Sequence, residues 1–294
     1  MLDRVGAAPI SWGICEAPGW GRQLPVDRVL SEMSGLGIRA TELGAIGWLP
    51  TEPVQIRAKL AEYNLQLLGG FVPLVLHDAK QFDATRRNAI TAAQTMSAAG
   101  GINFVTAVVS DPNDWQRPSL DDGDWTVLLK NLTEINSIVA EYGMTQVVHP
   151  HVDTLIETVD EVKRYLDETN VQVCLDTGHL FIGGADPVAI ANEYAERIGL
   201  VHLKDVSAPI AAQLRAGKYS LMAATQAGLF PCVGSGDVSI AETIHVVEKN
   251  GFSGWYVIEQ DVAITDGDPP VGQGPVVGVA KSLHYLADLA ASPA

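Results

Sequence analysis

Short β-branched runs alternate with amphipathic helical stretches along the whole chain, and this alternation limits the fold more than any other feature. Strand-like segments occupy 5–12, 39–45, 65–76, 102–110, 144–151, 171–179, 200–206 and 255–262. Helical periodicity covers 26–37, 52–64, 83–100, 125–143, 157–169, 186–198, a stretch around 209–226, 238–251 and 276–291. Asn64, Gly143 and Gly251 stand just past the last turn of three of these helices, where a left-handed residue ends a helix. Strands that alternate with helices pair in parallel through helical crossovers. Eight such units in 294 residues predict an α/β chain, a single (β/α)₈ TIM barrel spanning residues 1–294. The alternative is an open doubly wound sheet. It would carry a glycine-rich phosphate turn after its first strand, and SWGICEAPGWG (11–21) lacks GxGxxG spacing.

Barrel enzymes carry their chemistry at the C-terminal ends of the strands. Five of the seven histidines fall there: His77, His149, His151, His179 and His202, leaving His245 and His284 in helices. Glu42 ends the second strand, Asp176 the sixth, His202, Lys204 and Asp205 the seventh, and Glu259, Gln260 and Asp261 the eighth. From His149 to Asp176 is 27 residues and from Asp176 to His202 is 26, one strand–helix unit each. His149, Asp176 and His202 should therefore sit at one height on adjacent strands; the 57 residues from His202 to Glu259 need an extra excursion, which the long 207–237 segment supplies. Two carboxylates and two imidazoles converging in a barrel need a compensating charge, and a divalent cation supplies it. The donor set suits Mn²⁺ or Co²⁺, allows Zn²⁺, and fits Mg²⁺ less well because two donors are nitrogen. His151 shares a strand face with His149; His149 is taken as the ligand and His151 as an acid–base group. Lys204 faces the same way as His202. The GSGD turn (234–237) could cradle an oxyanion or close a loop, and the long 207–237 segment could lie over the barrel mouth.

The formal charge of −16 argues against nucleic acids and anionic membranes as partners. Three cysteines, Cys15, Cys174 and Cys232, with no CxxC, suit reduced thiols in the cytoplasm. MLDRVGAAPISW has no apolar leader segment, and no apolar run approaches the ~18 residues of a membrane span.

The motifs APISWG, PGWG, TELG, HPH, CLDTGH, VHLKD, VGSGDVS and WYVIEQD together resemble the xylose-isomerase-like barrel superfamily of sugar isomerases and epimerases, from about residue 5 to 290. Within it the chain is most similar to the inosose (2-keto-myo-inositol) dehydratase family. The resemblance implies a metal held by Asp176, His202 and Glu259, with His149 where a glutamate usually stands. It implies a keto-sugar or polyol substrate and subunits that assemble with copies of themselves. With one of two opposed glutamates replaced, it favours dehydration over two-faced epimerisation. Glu259, His151 and Lys204 are then the catalytic candidates, and Trp12, Glu42, His77, His179 and Gln260 the substrate contacts. A metal-dependent isomerase or epimerase and a catalytically silent sugar-binding barrel are the alternatives.

Overall fold

A computed structural model describes residues 1–17 and 19–291; Pro18, the first residue of the PGWG motif, lies outside them. Eight parallel strands close into a barrel in sequential order: β1 (Val5–Ala7), β2 (Ala40–Glu42), β3 (Gln66–Leu74), β4 (Asn103–Val108), β5 (Thr145–Val148), β6 (Gln172–Asp176), β7 (Ile198–Leu203) and β8 (Tyr256–Ile258). The helices are α1 (Val26–Gly35), α2 (Pro53–Glu62), α3 (Phe82–Ala99), α4 (Asp122–Glu141), α5 (Val159–Glu168), α6 (Thr177–Ile182), α7 (Pro187–Glu193), α8 (Ala208–Arg215), α9 (Leu221–Gln226), α10 (Ile240–Lys249) and α11 (Pro275–Ala291). Asn64, Gly143 and Gly251 have φ of 56°, 70° and 81°, so all three helix stops are as expected from the sequence.

The strands are shorter than their apolar runs. The first run, 5–12, is strand only to Ala7; Pro9 fixes its own φ and opens a 3₁₀ turn, Pro9–Trp12. The sixth run ends at Asp176, whose side chain accepts from His179 N at 2.7 Å and starts α6. His179 therefore belongs to a helix and not to the end of the strand. In the barrel interior Val147, Cys174, Leu200 and Val257 pack in one apolar cluster, with residues from the other four strands or strand ends. Two residues further along each of these strands stand His149, Asp176, His202 and Glu259. Period-two alternation thus converts a dry plug into a polar ring one step higher.

The sequence from Asp205 to Val238 is closed by an internal anion. The Asp205 carboxylate accepts from the backbone N–H groups of Val206, Gly234, Gly236 and Val238 at 2.8–3.1 Å. The GSGD turn does cradle an anion, and that anion is the chain's own side chain. A Cβ at Gly236 would collide with the Asp205 carboxylate, so only glycine fits there. The pinched segment carries α8 and α9, and brings Ser220, Leu221 and Met222 to the barrel mouth.

Candidate active site

A cavity of about 520 Å³ opens at the C-terminal ends of the strands, floored by His149, Lys204, Glu259 and Glu42. His149 Nε2 lies 3.2 Å from Asp176 Oδ2 and 4.0 Å from Glu259 Oε2. His202 Nδ1 lies 3.0 Å from Glu259 Oε2 and 3.8 Å from Asp176 Oδ2. One donor atom from each of the four residues falls within 4.8 Å of every other, and all four residues are buried. Donors roughly 2.1 Å from one cation stand about 3.0 Å apart at right angles, about 3.4 Å at a tetrahedral angle and about 4.2 Å across. The observed separations fall in that range, so the four residues fit a divalent metal. The charge balance agrees: among the described residues around the ring, four carboxylates, Glu42, Asp176, Glu259 and Asp261, are buried with two cationic groups, Lys204 and His202. Beside the ring, Glu42 Oε1 stands 3.2 Å from His202 Nε2. A carboxylate in this place fixes which nitrogen of an imidazole faces a metal.

Lys204 is almost fully buried, with Nζ 2.8 Å from Asp261 Oδ1, 3.0 Å from Glu259 Oε2 and 3.0 Å from His179 Nε2. Burial works against its charge, but Asp261, Glu259 and Asp176 outweigh that and hold the ammonium above the ordinary lysine range. Burial pushes Asp176 up to about 6 against the pull of Lys204. For Glu259 burial also raises the carboxyl, yet Lys204 and His202 overcome it and keep the group well below the usual range. Gly178 makes room for the lysine stem, since a Cβ there would sit 2.6 Å from Lys204 Cγ.

His151 lies on the cavity wall, its ring 5.4 Å from that of His149. Its Nδ1 is 2.6 Å from Val152 O. A carbonyl only accepts, so Nδ1 carries the proton and Nε2 bears the lone pair. Burial, then the neighbouring His149, lowers its pKa to about 3. The His179 ring lies against the His151 ring, tilted by 33° with 3.8 Å between centroids.

The substrate contacts expected from sequence separate sharply. Glu42 lines the cavity. Trp12 does not: it is fully buried, and its indole Nε1 donates to Glu32 Oε2 at 2.9 Å, because the 3₁₀ turn after β1 swings it outward. Gln260 turns toward α11, where its amide oxygen would stand 2.8 Å from a Cβ on Gly278; it has the opposite parity to Glu259. His179 is buried behind His151 and Lys204 and not at the cavity surface. His77 lies three residues beyond the end of β3 and is also off the cavity.

Other groups line the cavity or support its floor. Asp261, two residues from Glu259, anchors Lys204. Phe71 and Pro73, alternate residues of β3, line the cavity, as do Trp115, Glu16 and Asp153 from loops. Period two could have found Asp261 and the β3 pair. The loop residues had no such signal.

The model of the xylose isomerase-like TIM barrel matches residues 30–289. The chain belongs to this family. It is 31% identical over 275 residues to an inosose dehydratase of Geobacillus kaustophilus, covering 89% of each chain. It is 30% identical over 277 residues to the rhizopine catabolism protein MocC of Rhizobium meliloti, covering 89% of this chain and 82% of that one. Among solved structures it superposes on an L-ribulose 3-epimerase with a TM-score of 0.71 at 14% identity, covering 97% of this chain and 94% of the other. The fold of this xylose isomerase-like barrel is thus shared well beyond the range of sequence likeness. Among the described residues no helix is long and apolar enough to cross a membrane.

Proposed function

We propose that the chain is a metal-dependent dehydratase, a carbon–oxygen lyase acting on a keto-cyclitol such as 2-keto-myo-inositol in inositol catabolism. One observation carries this reading: the His149–Asp176–His202–Glu259 ring reaches the cavity through His149 and Glu259, and His151, whose Nε2 bears the lone pair, lines the same cavity. The 31% identity to an inosose dehydratase over 89% of the chain supports it. The ring would hold Mn²⁺ or Co²⁺, with Zn²⁺ compatible and Mg²⁺ less so, and the cation would supply Lewis-acid polarisation of the substrate carbonyl.

The residues of the chain divide the remaining work. The Lys204 ammonium stabilises negative charge growing on the carbonyl oxygen. His151 Nε2 removes the proton from the carbon next to the carbonyl. Its Nδ1–H is already given to Val152 O, so His151 starts with no proton for the leaving group. It returns the proton it has taken to the departing β-hydroxyl, and proton and hydroxide leave together as water. Glu259, fixed as an anion by Lys204 and His202, serves as ligand. Glu42 and Asp153 meet ring hydroxyls, while Phe71 and Trp115 face the C–H surface of the ring. The reading includes a cytoplasmic location, supported by three free cysteines, and assembly into a homo-oligomer.

The test is incubation of the Mn²⁺-loaded protein with 2-keto-myo-inositol. The expected product is a trihydroxycyclohexane dione, lighter by one water and with a new dione absorbance. Conserved mass with uptake of solvent deuterium would instead identify an isomerase or epimerase. No change in mass or label would leave the silent sugar-binding barrel.

A further inference from the structure

Trp115 and His151 reach the cavity from two different loops, and one side chain ties those loops together. Arg117 Nε donates to Thr154 O at 2.7 Å and lies 3.2 Å from Glu157 Oε2. Its Nη2 donates to both oxygens of Glu161, at 2.6 and 2.7 Å. Each acceptor is itself fixed. Glu161 accepts from Glu157 N and Thr158 N, closing the capping box that opens α5. Glu157 Oε2 accepts from Asp153 N at 2.9 Å. Thr154 Oγ1 donates to His151 O at 2.8 Å.

Arg117 is thus two residues from Trp115 along the chain and two hydrogen bonds from His151. The two rings meet edge to face at 5.3 Å, with Phe71 5.7 Å from Trp115 and 5.9 Å from His151. Arg117 stands behind this wall. Its planar fork spans two fixed partners, Nε on Thr154 O and Nη2 on the Glu161 carboxylate, a geometry that a lysine's single ammonium does not reproduce.

We propose that Arg117 is a positioning residue: it clasps the β4–α4 loop to the β5–α5 loop and so sets the spacing of Trp115 and His151 over the bound substrate. Its kinetic expression rests on the dehydratase reading; its structural expression does not. Two measurements separate them. In the Mn²⁺-loaded protein turning over 2-keto-myo-inositol, Arg117→Met raises KM about tenfold, as loss of pre-set geometry does, and lowers kcat by a smaller factor. Arg117→Lys fails to restore KM. Trp115→Phe raises KM alone, and the double variant is no worse than the worse single, because both changes loosen one wall. Unchanged KM in Arg117→Met, or effects that multiply in the double variant, would overturn the proposal. The second measurement is hydrogen exchange without substrate: amides of 110–118 and of 152–157 both exchange faster in Arg117→Met. Wild-type protein inactive on the cyclitol sinks the dehydratase reading alone; unchanged exchange in 152–157 sinks the clasp.

Discussion

At the scale of single residues, parity decides which side chains can do chemistry. Glu259 and Asp261 face the cavity floor, while Gln260 between them faces α11. Trp12 shows the same rule broken: once Pro9 ends the strand, alternation no longer says where a side chain points. Trp12→Phe should leave KM unchanged and cost roughly 1–3 kcal/mol in urea unfolding, because the buried Glu32 carboxylate loses a donor. His151 carries a pH prediction. Its folded pKa, about 3, lies below the unfolded value near 6.5. The unfolded chain therefore binds the extra proton, and the stability due to this group is full above about 6.5 and lost as pH falls toward 3. His151→Gln should show a smaller drop in melting temperature between pH 7 and pH 5 than the parent chain; an equal drop would remove His151 from the acid response.

At the scale of elements, the loops after the strands hold the site, and those after β4, β5 and β7 are held by a buried or half-buried charge, Arg117 or Asp205. Asp205 satisfies four backbone donors and pins the segment that brings Ser220–Met222 to the cavity. Replacing Asp205 by Ala orphans those donors, at a cost of at least about 3 kcal/mol, since hydrogen bonds to charged groups are among the stronger ones. Denaturant midpoints measure this, and a loss under about 1 kcal/mol would show that water replaces the carboxylate. The HLKD and GSGD motifs are legible in the sequence as a strand end and a turn. Their contact is not, because 29 residues separate Asp205 from Gly234 and only the closed segment brings them together.

At the scale of the whole molecule, the excess of buried carboxylates makes the ring costly without a cation and a bound cation stabilising. Mn²⁺ or Co²⁺ at 100 times its Kd should stabilise the fold by roughly 2.7 kcal/mol. A melting curve with and without chelator reads this, and Asp176→Asn, which keeps an acceptor for His179 N, should abolish the shift. By itself the sequence determined the eight-fold alternation, the helix stops and the four residues of the polar ring. These follow from local rules: the 3.6 and 2.0 periods, the left-handed caps, and a spacing of one strand–helix unit from His149 to Asp176 and from Asp176 to His202. Only the tertiary structure decided that Trp12, His77, His179 and Gln260 stand off the cavity, and that Phe71, Trp115 and Asp261 stand at it or beneath it. The physical reason is that strand ends and loops take their direction from contacts distant in sequence, such as Asp205 with the GSGD turn and Arg117 with Glu161, which no local period encodes.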